Sequence, residues 1–274
     1  MKKAQIVLFS LMAAAALNFS CDTYNSIADT EQQNTDYRLS SQECLDAYIE
    51  RCSNDIRLDP NNADLYKYRS DAYFQNGDYL RAIDDINIGI SLVPDETVHS
   101  FYIFRGAIYI QIMDYDHAVA DFNRIILTDS VQDHNLIDAY SWRAFTYRLK
   151  GDFELAIDDY RELLILDPNN SRNSYFSIGQ IYLYKGDYEN AIEYFKRANK
   201  HGLDDLSFHY ACAYTYNIKG NYDLALENIN KIIDVYPNYS YGYAYNLRGE
   251  VYKNKGDIIK ANTDFAKARE LGYK

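Results

Sequence analysis

The chain has 274 residues, 47% of them hydrophobic, with only 4 prolines and 12 glycines. That is enough apolar material for a large core and too few breakers for many short strands, so helices are expected. Acidic residues outnumber basic ones 40 to 28, for a net charge of −12, which argues against nucleic acid as a partner, because duplex binding draws its affinity from lysine and arginine set against phosphate. The 29 tyrosines fit either a protein-binding surface, where they supply wide contact area with a polar tip, or the composition bias of a genome.

In chain order, residues 1–20 place two lysines before an apolar run from Ala4 to Leu17. The run is too short to span a bilayer as a mature helix and is laid out as a secretory signal peptide. Its end resembles a bacterial lipoprotein signal, in which the cysteine after the cut is lipidated. Ser20 before Cys21 fits that pattern, whereas Leu17 sits one position earlier than it asks. The resemblance implies lipidation of Cys21 and a membrane anchor in a bacterial cell envelope; a cut near Ala13–Ala16 would instead give a secreted or periplasmic soluble protein. Residues 21–38 contain few apolar side chains and read as a flexible tether. Within residues 39–62, Leu45, Tyr48, Ile49, Cys52 and Ile56 fall on one helical face and Ser40 and Glu43 have capping-box spacing, so an amphipathic helix is expected there, capping the front of the segment from residue 63 on. Cys44 and Cys52 in that helix are about 12 Å apart, too far for a disulfide. With Cys212 they read as small buried hydrophobes.

From residue 63 to the end the chain repeats. Gly77, Met113, Gly151, Gly186, Gly220 and Gly256 recur at 36, 38, 35, 34 and 36 residues. Four positions before each stands a tyrosine: Tyr73, Tyr109, Tyr147, Tyr182, Tyr216 and Tyr252. Five positions after each stands an alanine: Ala82, Ala118, Ala156, Ala191, Ala225 and Ala261. Seven before, the residue is always small: Ser70, Gly106, Ala144, Gly179, Ala213 and Gly249. A period near 34 with helical patterning describes a helix hairpin in which small residues let two helices approach, a glycine turns the chain, and Pro94, Pro168 and Pro237 end second helices. These motifs resemble the tetratricopeptide repeat family. The resemblance implies an all-α, right-handed superhelical solenoid of six hairpins, at residues 63–98, 99–136, 137–171, 172–205, 206–241 and 242–274. It further implies that the first helices line a concave groove that binds a protein or peptide.

A second pattern runs through the repeats. Arg69, Arg105, Arg143 and Arg248 stand eight residues before the turn and Asp85, Asp121, Asp159 and Asp264 eight after it, while the repeats with Ile178 and Cys212 in place of arginine have Tyr194 and Asn228 in place of aspartate. Equal offsets about a turn predict an ion pair inside the hairpin. In the last helix, Asn262 and Arg269 replace residues that are mostly aliphatic in earlier repeats, so that helix is expected to meet water as the end of an array of one chain.

Nothing in the sequence carries enzyme chemistry. The five histidines show no metal spacing, there is no phosphate-binding glycine loop or nucleophile elbow, and adjacent acids such as Asp84 and Asp85 face different sides of a helix, so neither a metal nor another cofactor is expected. Within the family, one groove grips C-terminal carboxylates through lysine, asparagine and arginine; here Lys67 matches, but Asp71, Phe104, Asp138 and Trp142 occupy the other positions, and acids there repel such a ligand. Carried over residue by residue, the groove positions hold Tyr68, Phe74, Phe104, Trp142, Phe145, Phe176, Tyr184, Tyr210 and Tyr214. These aromatics are expected either to pack between neighbouring first helices or to bind an apolar segment of a partner. The function read from the sequence is a non-catalytic, lipid-anchored scaffold; the alternative is a spacer in an envelope complex with no groove ligand.

Overall fold

A computed structural model describes residues 41–94, 97–128, 133–235 and 242–273. The signal segment, Cys21, the tether, Ser40 and Pro237 lie outside the described residues. Among the described residues there are 13 α-helices and no strand. They divide into two compact units, one ending at Asp114 and one beginning at Tyr115. The first holds α1 (Ser41–Leu58), α2 (Ala63–Gln75), α3 (Tyr79–Leu92) and α4 (His99–Gln111). The second holds α5 (Tyr115–Ile126), α6 (Asp133–Lys150), α7 (Phe153–Leu166), α8 (Ser171–Lys185), α9 (Tyr188–Lys200), α10 (Leu206–Ile218), α11 (Tyr222–Val235), α12 (Tyr243–Lys255) and α13 (Ile258–Glu270).

The tyrosine and the glycine of each repeat meet at the turn. The amide after the turn residue donates to the tyrosine carbonyl five residues back, as in Asp187 to Tyr182 at 2.9 Å and Asp257 to Tyr252 at 2.8 Å. This closure needs a left-handed residue between them. Gly186 supplies it at φ 77°, and in the second repeat Met113 is forced into the same region at φ 62° with its side chain exposed. Inside the hairpins the small positions and the alanines are in contact distance. A Cβ added to Gly179 would lie 2.7 Å from the Phe195 ring and 3.2 Å from the Ala191 carbonyl, and one on Gly249 would collide with Phe265 in the same way. Ala156, Ala191 and Ala225 have no exposed surface, and Phe195, Ile157 and Ile229 fill the space beside them.

Three of the four expected arginine–aspartate pairs lie within one unit, and each is bidentate. Arg69 Nε and Nη2 donate to Asp85 at 2.7 and 2.7 Å, Arg143 to Asp159 at 2.9 and 2.7 Å, and Arg248 to Asp264 at 2.7 and 2.8 Å. Each arginine also reaches the element before its hairpin: Arg143 Nη1 donates to Asn123, Arg248 Nη1 to Asn230 at 2.9 Å, and Arg69 Nη1 to Ser53 of α1 at 3.0 Å. Tyrosine rings flank the guanidinium, Tyr140 at 5.3 Å and Tyr147 at 5.8 Å for Arg143. Each guanidinium therefore joins three helices. Where arginine is missing, other side chains take its place. In α8 and α9, Tyr194 packs against Tyr175 and Tyr182. In α10 and α11, buried His209 spans Asn228 at 3.0 Å and Asp204 at 2.9 Å.

A second set of contacts links successive hairpins of the second unit along their turns. The lysine before each turn residue reaches back to an acid at the start of the previous second helix: Lys150 to Asp116 at 2.7 Å, Lys185 to Glu154, Lys219 to Glu189, and Lys255 to Asp223. In the first unit, α1 meets α2 as a preceding second helix would, with Gln42 Nε2 donating to Asn76 Oδ1 at 2.9 Å and Ser53 accepting from Arg69. At the other end Asn262 and Arg269 are exposed. The described cysteines, Cys44, Cys52 and Cys212, are buried free thiols, and burial pushes the Cys212 thiol up to about 12.

Candidate partner-binding face

The first helices of the second unit are α6, α8, α10 and α12; the first three carry six of the nine aromatics that sequence assigned to a groove. Trp142 and Phe145 stand on α6, half-buried, with their rings edge to face at 6.1 Å. The Arg148 guanidinium lies 5.3 Å over the Phe145 ring and its Nη1 donates to Gln180 Oε1 on α8 at 3.2 Å. This contact ties two first helices together and puts a polar edge beside the rings. Tyr184 at the end of α8 is 47% exposed and stacks on Phe153, with planes 4° apart. Tyr210 on α10 is 40% exposed, and Tyr214 one turn on is half-buried against the core of α11 and α12.

Phe176 is different. It is half-buried and set against Phe195 at 5.5 Å and Phe208 at 6.5 Å, so much of its ring serves the junction of α8, α9 and α10. In the first unit Tyr68 is 50% exposed, but Phe74 is half-buried against Tyr79 and Phe104. Phe104 is only 6% exposed, within the core that includes Phe101 and Ile108. Phe104 is therefore removed from the binding face: a phenylalanine at that register is buried because Phe74 of the preceding hairpin covers it.

The sequence named Lys67 and Asp71 at carboxylate-gripping positions but not the contacts they make. In the first unit Lys67 Nζ donates to Ser100 Oγ at 3.0 Å and lies 5.1 Å over Phe101, and burial lowers its pKa. Asp71, one turn along, is pushed up to about 6 by burial, which outweighs the Gln75 hydrogen bond and the Lys67 charge; its Oδ1 has no hydrogen-bond partner among the described residues. The lysine that matched a carboxylate-gripping position thus serves an internal contact. Among the described residues no three histidine, cysteine or acidic side chains converge on a metal-sized site, and no helix is long and apolar enough to cross a membrane.

Stacked helix hairpins of about 34 residues, each with a tyrosine, a left-handed turn and a buried alanine in register, define a helical repeat protein. The tetratricopeptide repeat family matches residues 135–198 and 176–240. Residues 135–240 are tetratricopeptide repeats. The TPR repeat-containing protein YpiA of Bacillus subtilis is 27% identical over 179 residues, which cover 63% of this chain and 40% of YpiA, so the chain spans less than half of that relative's length. Among solved structures, a tetratricopeptide repeat protein from Parabacteroides merdae superposes with a TM-score of 0.63 at 19% identity, covering 77% of this chain and 80% of that one. The C-terminal part of a TPR repeat-containing protein from Cytophaga hutchinsonii gives 0.63 at 19% identity, over 83% and 90%. At these identities the structures establish the fold. Proteins built from these repeats are generally non-catalytic scaffolds that bind proteins or peptides.

Proposed function

We propose that the chain is a lipid-anchored envelope scaffold that captures an apolar segment of a partner protein along the first-helix side of residues 115–274, with Cys21 as the anchored residue. The observation that carries this reading is the cluster of Trp142, Phe145 and Arg148, joined through Gln180 to α8 and followed by the exposed rings of Tyr184 and Tyr210. Partly exposed aromatics edged by hydrogen-bonding groups have the composition of interface hot spots, where tryptophan, tyrosine and arginine hold most of the energy. The hairpin interior is already filled by the alanines and by rings such as Phe195, which leaves these side chains little internal work.

The test is affinity capture from envelope extracts with Trp142→Ala and Phe145→Ala. Each variant is expected to lose its partner by about 30-fold or more, the scale of a hot-spot truncation, while its melting temperature stays within a few degrees of the parent. Capture that persists in both variants would refute the face assignment. Unfolding of both would place the rings in the core. For the anchor, Cys21→Ala is expected to move the protein from the membrane pellet to the soluble fraction, and a variant that stays in the pellet removes lipidation at Cys21.

A further inference from the structure

Four tyrosines and one carboxylate gather at the far end of the same side. Tyr210 and Tyr214 are one turn apart on α10, and Tyr243 and Glu250 are two turns apart on one face of α12. Tyr273, just past α13, packs edge-on against Tyr243 with ring centres 5.0 Å apart and planes at 88°. Tyr210 is 40% exposed and Tyr243 42%, so their faces are open to solvent. Glu250 is exposed, and Asn246 Nδ2 donates to its Oε1 at 3.2 Å, which fixes one oxygen and leaves the other to a visitor. Desolvation, with the Glu250 charge nearby, pushes the Tyr210 phenol up to about 12, so the ring stays neutral across the physiological range.

Elsewhere this chain sets cations over its tyrosines: Arg143 over Tyr140 and Tyr147, Arg197 over Tyr194, Arg248 over Tyr245 and Lys260 over Tyr252. Among the described residues no lysine or arginine lies over Tyr210, Tyr214, Tyr243 or Tyr273. The register position of Glu250 is held by Asp71 in the first repeat and by Phe145, Gln180 and Tyr214 in the three repeats before the last, so within the second unit Glu250 is the one carboxylate at that register. Aromatic faces and a carboxylate both attract an ammonium or guanidinium group, and a net charge of −12 draws cationic partners toward the surface.

We propose that Tyr210, Tyr214, Tyr243 and Tyr273 form an aromatic pocket around Glu250 that takes a lysine or arginine side chain of a partner polypeptide. The pocket rests on the protein-binding function proposed for this side: a segment lying along α8 and α10 delivers the side chain here.

The test uses the full chain with ring-13C tyrosine and three probes: Nα-acetyl-lysine N-methylamide, its Nε-acetylated counterpart, and tetramethylammonium. The lysine amide is expected to shift the Tyr243 and Tyr273 ring signals saturably, and the uncharged counterpart to leave them in place. Glu250→Gln, which loses one charged acceptor on an exposed turn, should weaken the lysine amide about tenfold, and Tyr243→Ala should weaken it comparably, whereas Tyr243→Phe keeps the ring and most of the affinity. Equal shifts from the acetylated probe, or unchanged affinity in Glu250→Gln, overturn the proposal. Tighter binding of tetramethylammonium than of the lysine amide overturns the polypeptide assignment in favour of a quaternary headgroup. The two readings fail separately: loss of capture in Trp142→Ala with no titration of these rings leaves the binding face standing and removes the pocket. Titration with capture intact in Trp142→Ala does the reverse.

Discussion

Replacing Arg143 or Asp159 by leucine tests whether the repeated ion pair holds the hairpins together. The Arg143 side chain is 17% exposed and that of Asp159 6%, with two hydrogen bonds of 2.9 and 2.7 Å between them. Burial holds Asp159 above the usual carboxylate range even against Arg143, whereas the pair raises the pKa of Arg143. Bidentate hydrogen bonding keeps the pair ionised, with its desolvation only partly offset. Arg143→Leu strands a buried carboxylate and should cost about 3 kcal/mol. Asp159→Leu leaves a guanidinium that still has Asn123 and two tyrosine rings, and should cost about 2 kcal/mol. The double variant removes both charges and keeps apolar volume, so its loss should be only about 1–2 kcal/mol, a coupling of about 3–4 kcal/mol. Equilibrium urea unfolding followed by circular dichroism reads all four proteins, provided the slope is unchanged between them. A double variant that loses the sum of the two single losses refutes the claim that the pair acts as a unit.

Three further outcomes are expected. Met113→Gly relieves a left-handed residue worth roughly 1–2 kcal/mol, less the extra freedom of glycine in the unfolded chain, and should raise stability by about 0.5–1 kcal/mol; a lower melting temperature would show that the methionine side chain is needed. Asp71 has a folded pKa of about 6, above its unfolded value, so the native state binds more protons between about pH 4 and 6 and stability from this group falls as pH rises through that window. Asp71→Asn should flatten that part of the urea midpoint profile and stabilise the protein at pH 7 by on the order of 1–2 kcal/mol; a variant with the parent's profile shows that Asp71 titrates normally. Joint replacement of Lys150, Lys185, Lys219 and Lys255 by methionine should lower the urea midpoint slightly at low salt, and the difference should vanish in 1 M NaCl, where the screening length is about 3 Å; a salt-independent loss means that the lysine stems, not their charges, matter.

The hairpins were legible in sequence because their contacts are local. Tyrosine, turn glycine and alanine lie within nine residues of one another, and their offsets alone place Gly179 against Ala191 and Phe195. The ion pair was legible for the same reason: equal distances either side of a turn put Arg143 opposite Asp159. Its third member spans two repeats, yet it too left a trace. Asn87, Asn123 and Asn230 stand ten residues past their turns, and each precedes a repeat that has the arginine; the two repeats that lack it follow Arg161 and Lys196, cations that would repel a guanidinium. The fate of the aromatic side was not legible, because register names a direction and the neighbouring repeat decides what covers it. Phe176 and Tyr210 share one register position. Phe176 is closed off partly by Phe208, the third residue of the next first helix; at that place the last repeat has Ala244, with no ring to offer, and Tyr210 stays 40% exposed. In such an array a side chain stays exposed where the next repeat offers nothing to bury it, as Tyr210 does on α10.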